Sequence, residues 1–233
     1  MKNPGCSGCC GLALSVHREC LPEKGWRVLS SLKDLIKKYH FVIAGGTALA
    51  LHLGHRISKD LDLFTDAEFK VESIISGIRK AGHQFRVISE GEGFLTANID
   101  GIKVSFFRYD YPFIEKPVIY RGVRIAGIYD IASMKVIAIS QRGTKRDFVD
   151  LFFFLQDVPF HKLAEHMIKR FGKERISPVH IGKSLVYFSD AESNPEPEYI
   201  KGKETSWDKV KRFFRNHVRQ FLLDLDTAVK AQE

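Results

Sequence analysis

The chain has 233 residues, 44% of them apolar and 27% charged, a balance that excludes a disulfide miniprotein or a disordered chain and allows one large domain or two small ones. No apolar run approaches the ~18 residues of a membrane span. The formal charge of +8 is spread thinly, with 18 basic and 13 acidic groups in residues 1–125 and 18 and 15 in 126–233, so composition alone does not make a nucleic-acid binder.

All four cysteines, Cys6, Cys9, Cys10 and Cys20, lie in the first 20 residues, so the fold does not depend on disulfides. The stretch from Gly11 to Val16 is too short and too weakly apolar for a secretory signal, and the cytoplasm is the expected location. Cys6-x-x-Cys9 and His17-x-x-Cys20 have zinc-ligand spacing. They lack apolar support, and residues 1–24 read instead as a disordered tail.

Trp26, Val28, Leu29, Leu32, Leu35 and Ile36 recur at helical spacing and predict a helix over 25–38. The apolar run Phe41–Ala44 reads as a buried strand entering a tight turn at Gly45-Gly46, followed by a short helix from Thr47 to Leu53. After a polar loop at 55–59, Asp60–Phe64 alternates like a strand. A helix over 69–81 precedes strands at Phe85–Ile88, Phe94–Ile99 and Ile102–Phe107, the last two joined by the hairpin turn Asp100-Gly101. Short strands are expected at Val118–Tyr120 and Val123–Ile125. From Ile128 the period is helical, with helices at 128–140, 147–155, 163–171, 178–187 and 207–229 and a polar loop over 189–203. The chain is thus read as a tail (1–24), an α/β domain (25–125) and a helical domain (126–233).

The chemistry concentrates in two places. Gly45-Gly46-Thr47, between a strand and a helix start, lets backbone N–H groups approach an anion with the helix dipole behind them. Asp60 and Asp62, at alternate positions of a strand, point the same way. Two neighbouring carboxylates repel, and Mg2+ is the usual reason to hold them together. Glycine turn and carboxylate pair together describe a site for metal-bound polyphosphate.

These residues resemble a known family. Phe41 to Leu51 and His55-Arg56-Ile57-Ser58-Lys59-Asp60-Leu61-Asp62-Leu63-Phe64 are similar to the signature of the AbiEii/AbiGii toxin family of nucleotidyltransferases, within the DNA polymerase β-type superfamily. Asp130-Ile131-x-x-Met134-Lys135 and Arg142-Gly143-x-x-Arg146-Asp147-x-x-Asp150-Leu151 resemble its later motifs. The resemblance implies a nucleotidyltransferase-like mixed sheet with flanking helices, followed by a C-terminal helical domain. It implies that Gly45, Gly46, Thr47, Ser58 and Arg146 bind the nucleotide, that Asp60 and Asp62 ligate Mg2+, and that Lys135 steadies the triphosphate. Asp147 would lie near the acceptor or the base. The implied reaction moves a nucleotide from an NTP to a hydroxyl on RNA or protein, in a toxin with a cognate antitoxin partner.

One position departs from the pattern. Related transferases carry a third carboxylate on a later strand, and Ser105 stands in the corresponding place, leaving Asp100, Asp110 or Asp147 as substitutes. The alternatives are therefore a catalytically silent NTP-binding or protein-interaction module of the same fold, or a transferase acting on small molecules. For His52 and His55 a surface or helix-end role is expected. Lys211, Arg215 and Arg219 in the last helix read as a solvated face.

Overall fold

The computed structural model describes residues 16–232. In chain order the elements are α1 (Glu23–Ser31), α2 (Lys33–Lys38), β1 (Val42–Ala44), α3 (Gly45–Leu53), β2 (Leu61–Thr65), α4 (Val71–Lys80), β3 (Phe85–Gly91), β4 (Phe94–Ile99) and β5 (Ile102–Arg108). They continue with β6 (Val118–Tyr120), β7 (Val123–Ile125), α5 (Ile128–Gln141), α6 (Lys145–Asp157), α7 (Phe160–Phe171), α8 (Pro178–Leu185), α9 (Ser189–Glu192) and α10 (Trp207–Lys230). This is the mixed α/β architecture that the sequence implied. The strands form one sheet in the order β3-β4-β5-β2-β1-β7-β6. At its centre β2 is antiparallel to β1 and parallel to β5, while β1 is parallel to β7.

Buried side chains fall into two apolar clusters. One spans Cys20 to Ile131 and surrounds the sheet; the other runs from Ala132 to Ala228 and joins the helices. They meet within α5, where Ile131 belongs to the first cluster and Ala132, Val136 and Ile139 to the second. Aromatic rings fill much of the second cluster, including the stacked pair Phe160 and Phe221 with centroids 4.1 Å apart.

Several local expectations are corrected. The helix expected over 25–38 breaks at Leu32 into α1 and α2. Gly45-Gly46 is not a separate turn: α3 starts at Gly45 itself, directly after β1. β2 begins at Leu61, which leaves Asp60 at its mouth. The loop expected over 189–203 contains α9. Of the tail expected to be disordered, residues 1–15, with Cys6, Cys9 and Cys10, lie outside the described residues. His17 and Cys20 are packed: His17 N donates to Leu51 O, Arg18–Cys20 form a 3-10 turn, and the Cys20 side chain is fully buried. Burial pushes its thiol up to about 12, and nearby Glu19 adds to the shift, so it is a core residue in chemistry as well as in place.

Candidate functional site

The site is built at the centre of the sheet. Ala44, the last residue of β1, pairs with Asp62 of β2, so the chain turns into α3 beside that carboxylate. Gly45 has φ +67°, and a Cβ there would stand 2.8 Å from Asp62 Oδ2. Glycine is thus required twice, by conformation and by space. The first-turn N–H groups of a helix lack intrahelical acceptors and lie at the positive end of its dipole, and here they open beside the aspartates. Thr47 Oγ1 donates to the Asp60 carbonyl and lies 2.7 Å from Ser58 Oγ, which ties the start of α3 to the loop entering β2.

Asp60 is partly exposed, with its Oδ2 4.0 Å from Arg146 Nη1. Asp62 is half-buried. Burial raises its carboxyl above the ordinary aspartate range, Lys135 opposes the rise, and the charge of Asp60 adds to it.

Behind α3 lies a buried ion network that joins distant parts of the chain. Asp150 accepts from Arg56 Nε at 2.6 Å and Arg56 Nη2 at 2.8 Å, from His55 Nε2 at 2.8 Å and from Lys135 Nζ at 2.8 Å. Lys135 Nζ also reaches Asp147 Oδ1 at 2.8 Å, and Asp147 Oδ2 accepts from Thr144 at 2.7 Å and Arg142 at 3.3 Å. Burial alone would raise both carboxyls, but the adjacent cations win. Arg56 and Lys135 hold Asp150 well below the ordinary range, and Lys135 and Arg142 hold Asp147 below it. Gly46 packs against this network, since a Cβ there would lie 2.5 Å from Arg56 Nη2. A further strap fixes Arg56: Ile57 N donates to Glu198 O at 2.7 Å and Ile200 N to His55 O at 3.1 Å.

Two adjoining hollows, of about 170 and 390 Å3, open onto the site and share Gly46, Asp62, Lys103, Lys135, Arg142 and Asp147. All nine residues singled out from the sequence line one or the other: Gly45, Gly46, Thr47, Ser58, Asp60, Asp62, Lys135, Arg146 and Asp147. The placement of Lys135 and Asp147 differs from the expectation in one respect. Each is buried in ion pairs with the other, so they form the charged floor of the cleft and not freely projecting groups. Arg56, Lys103 and Arg142 also line the cleft and had no assigned role. The signal for Lys103 was present in the alternation, because Lys103 and Ser105 share a face of β5.

Ser105 pairs with Asp62 across the β2–β5 ladder and is buried, its hydroxyl accepting from Thr96 Oγ1 at 3.3 Å. Of the substitutes considered, Asp147 lines the cleft. Asp100 is at the far hairpin turn with His83, and Asp110 is exposed beside Arg108. The donor set fits Mg2+, which is commonly held by one or two carboxylates with phosphate oxygens and water completing its shell. A separate cluster, Glu115, Asp130 and His166, brings its ligand atoms within 4.8 Å of one another. Its oxygens are occupied by backbone donors: Glu115 Oε2 accepts from Tyr129 N and Asp130 N, and Asp130 from Ile114 N and Glu115 N. Arg170 lies against it, so it is a clasp at the start of α5.

His52 lies in the last turn of α3, in keeping with the expected helix-end role, whereas His55 departs from expectation. His55 is fully buried on Asp150, and His52 is half-buried with Nε2 2.8 Å from Ala126 O. In α10, Lys211 pairs with Glu192 and Asp208, while Arg215 sits over the Phe188 ring.

The same fold occurs in solved structures, one of them a nucleotidyltransferase toxin. JHP933 from Helicobacter pylori superposes with a TM-score of 0.54 at 17% identity, covering 91% of this chain and 97% of that one. MenT4, the nucleotidyltransferase toxin Rv2826c from Mycobacterium tuberculosis H37Rv, gives 0.54 at 15% identity, covering 88% and 91%. The fold is therefore that of the nucleotidyltransferases. The chain belongs to the AbiEii nucleotidyltransferase toxin family, whose model, described as "Nucleotidyl transferase AbiEii toxin, Type IV TA system", matches residues 27–231. The uncharacterised protein aq_aa25 of Aquifex aeolicus (strain VF5) is 41% identical over 187 residues, 78% of this chain and 88% of the relative. Among the described residues, no helix is long and apolar enough to cross a membrane.

Proposed function

We propose that the protein is a Mg2+-dependent nucleotidyltransferase of a toxin–antitoxin pair, moving a nucleotide from an NTP to a hydroxyl on RNA or protein in the cytoplasm. The observation that carries this reading is the 2.8 Å separation between Asp62 Oδ2 and the place of a Gly45 Cβ. It makes the glycine-started helix and the aspartate pair one site. The cleft lining joins five cations, Arg56, Lys103, Lys135, Arg142 and Arg146, to three carboxylates, Asp60, Asp62 and Asp147, a balance suited to a triphosphate that brings its own cation.

Asp60 and Asp62 would hold Mg2+, which when bound supplies charge neutralisation for the departing pyrophosphate. The first-turn N–H groups of α3 bind and orient the phosphates. Lys103 and Arg146, at the rim, draw the triphosphate toward the aspartates. Arg56 and Lys135 are pinned at the floor by Asp150 and Asp147, so the excess positive charge facing a phosphate comes from Lys103, Arg142 and Arg146. The acceptor hydroxyl must lose its proton, and Ser105 offers no carboxylate for it; Asp147 is the acidic group of the second hollow besides Asp62. The position of Ser105 opposite Asp62 also supports a second reading, an NTP-binding module without turnover.

Incubation with each α-labelled NTP, with Mg2+ or EDTA and with total RNA or cell protein as acceptor, separates the two. Transfer of label with pyrophosphate release is the expected result. Mg2+-dependent NTP binding without transfer would establish the second reading, and absence of NTP binding would overturn both.

A further inference from the structure

Away from the cleft, three separated parts of the chain converge on a second reactive arrangement. Ser31, at the end of α1, places Oγ 2.5 Å from His83 Nε2, in the turn after α4. The other ring nitrogen of His83, Nδ1, lies 2.6 Å from Asp100 Oδ2 at the tip of the β4–β5 hairpin. Gln84 N donates to the second oxygen of Asp100 at 3.2 Å and orients the carboxylate. Ser31 is exposed, whereas only 11% of the His83 side chain is accessible. The geometry points to Ser31 as a nucleophile, activated by His83 and Asp100, that takes acyl groups from small activated esters carrying an anionic tail.

The proton assignment follows from the partners. An ionised Asp100 can only accept, so Nδ1 carries the hydrogen, and in a neutral ring Nε2 is then a bare lone pair. The Ser31 hydroxyl is the donor within reach, which is the order of a serine, a base and an orienting carboxylate. Arg27 O at 3.0 Å and Val28 O at 2.8 Å compete for the same hydrogen. Those carbonyls form the negative end of α1, which disfavours an oxyanion beside Ser31. Substrates with stable leaving groups, such as phenyl esters, therefore suit the site and amides do not.

Ser31 also lines a hollow of about 380 Å3 between α1, α2 and α4. Leu32 and Leu35 form its apolar floor, and the exposed Lys38 and Lys80 stand on its rim with Asp34, a lining of one net positive charge that fits a short acyl chain ending in a carboxylate. In the reaction, Oγ bonds to the ester carbonyl carbon while its proton passes to Nε2. The bond to the leaving oxygen then breaks, and Nε2 returns the proton to the departing alcohol or phenol. Water repeats the sequence on acyl-Ser31, releasing the acid and restoring the hydroxyl.

A fluorophosphonate probe with peptide mapping tests the nucleophile in the full-length protein. The expected label is on Ser31, at a rate that falls about a hundredfold in His83→Ala. Asp100→Asn, which keeps a residue tolerant of the left-handed turn, provides a second variant should the first fail to fold, and it is expected to fall at least about tenfold. Equal labelling of native and urea-unfolded protein, or undiminished labelling in a folded variant, overturns the proposal. Hydrolysis of p-nitrophenyl hemisuccinate is expected to exceed that of p-nitrophenyl acetate several-fold, a preference lost in Lys38→Ala with Lys80→Ala. Equal rates for the two esters in the wild type overturn the assignment of the anionic tail.

Discussion

Asp62 and Ser105 are direct partners across the parallel β2–β5 ladder, so any side chain at 105 faces the same cleft as the aspartate. A carboxylate introduced there would enter a buried place beside a group whose own ionisation is already opposed by burial and by Asp60. Ser105→Asp is therefore expected to lower stability in EDTA by about 1–3 kcal/mol and to regain much of it in Mg2+. If the third carboxylate limits turnover, the same variant raises nucleotide transfer. Thermal melts with and without Mg2+, followed by label transfer, measure both effects. Equal melting of variant and wild type in EDTA would contradict the packing argument.

Asp150 is the hub of the buried network, balancing Arg56 and Lys135 while accepting from His55. Removing it leaves two desolvated cations facing each other. Asp150→Ala is expected to cost about 3–5 kcal/mol. Because the folded state holds this carboxyl low, its stabilising contribution is complete above the ordinary aspartate value of about 3.9. That contribution is lost as pH falls from there through the lower folded value. Denaturant midpoints across acid pH should fall steeply for the wild type and less so for Asp150→Asn.

The parts of this site legible in the sequence were the local ones. Gly45, Gly46, Thr47, Asp60 and Asp62 lie within 18 residues, and extended spacing through the mouth of β2 plus the capacity of glycine for close approach suffices to join them. The network behind them was not legible, because Arg56 and Asp150 are 94 residues apart and a polar loop containing His55 and Arg56 gives no sign of being buried. Gly45-Gly46 reads as a turn because paired glycines after an apolar run usually punctuate elements, and helix propensity also disfavours glycine. The close approach to Asp62 overrides that preference. Cys20 shows the same limit, since a cysteine near the start of a chain looks like tail until Leu21 and Trp26 close over the same core.

Gly46→Ala is a small change with a large expected effect. The new methyl would meet Arg56 Nη2 at 2.5 Å, with Asp150 Oδ2 at 3.4 Å and Lys135 Nζ at 3.5 Å. The guanidinium cannot swing aside without breaking its two bonds to Asp150. Overpacking of this kind costs roughly 1–3 kcal/mol, and NTP affinity should fall with it as the floor of the cleft shifts. Calorimetric titration with Mg–NTP beside a melt distinguishes the two components. Wild-type affinity and stability in Gly46→Ala would mean that the network yields more readily than its hydrogen bonds suggest.

Asp62→Asn separates stability from function at one position. Burial and the charge of Asp60 raise the Asp62 carboxyl, so folding opposes its ionisation. The penalty is present at neutral pH and is relieved as pH falls through the raised folded value. Replacing the carboxylate by a neutral amide of the same shape removes the penalty, and the variant should melt higher than the wild type in EDTA at pH 7. Near pH 3, where both side chains are neutral, the gap should close. Mg2+ has the opposite preference, since an amide oxygen is a weaker ligand than a carboxylate. Addition of Mg–NTP should therefore raise the wild-type melting temperature while leaving Asp62→Asn nearly unmoved, with affinity at least about tenfold weaker. A variant that is less stable in EDTA would show that Asp62 is held by its neighbours as a structural ion pair, and the aspartate pair would then lose its claim to the metal.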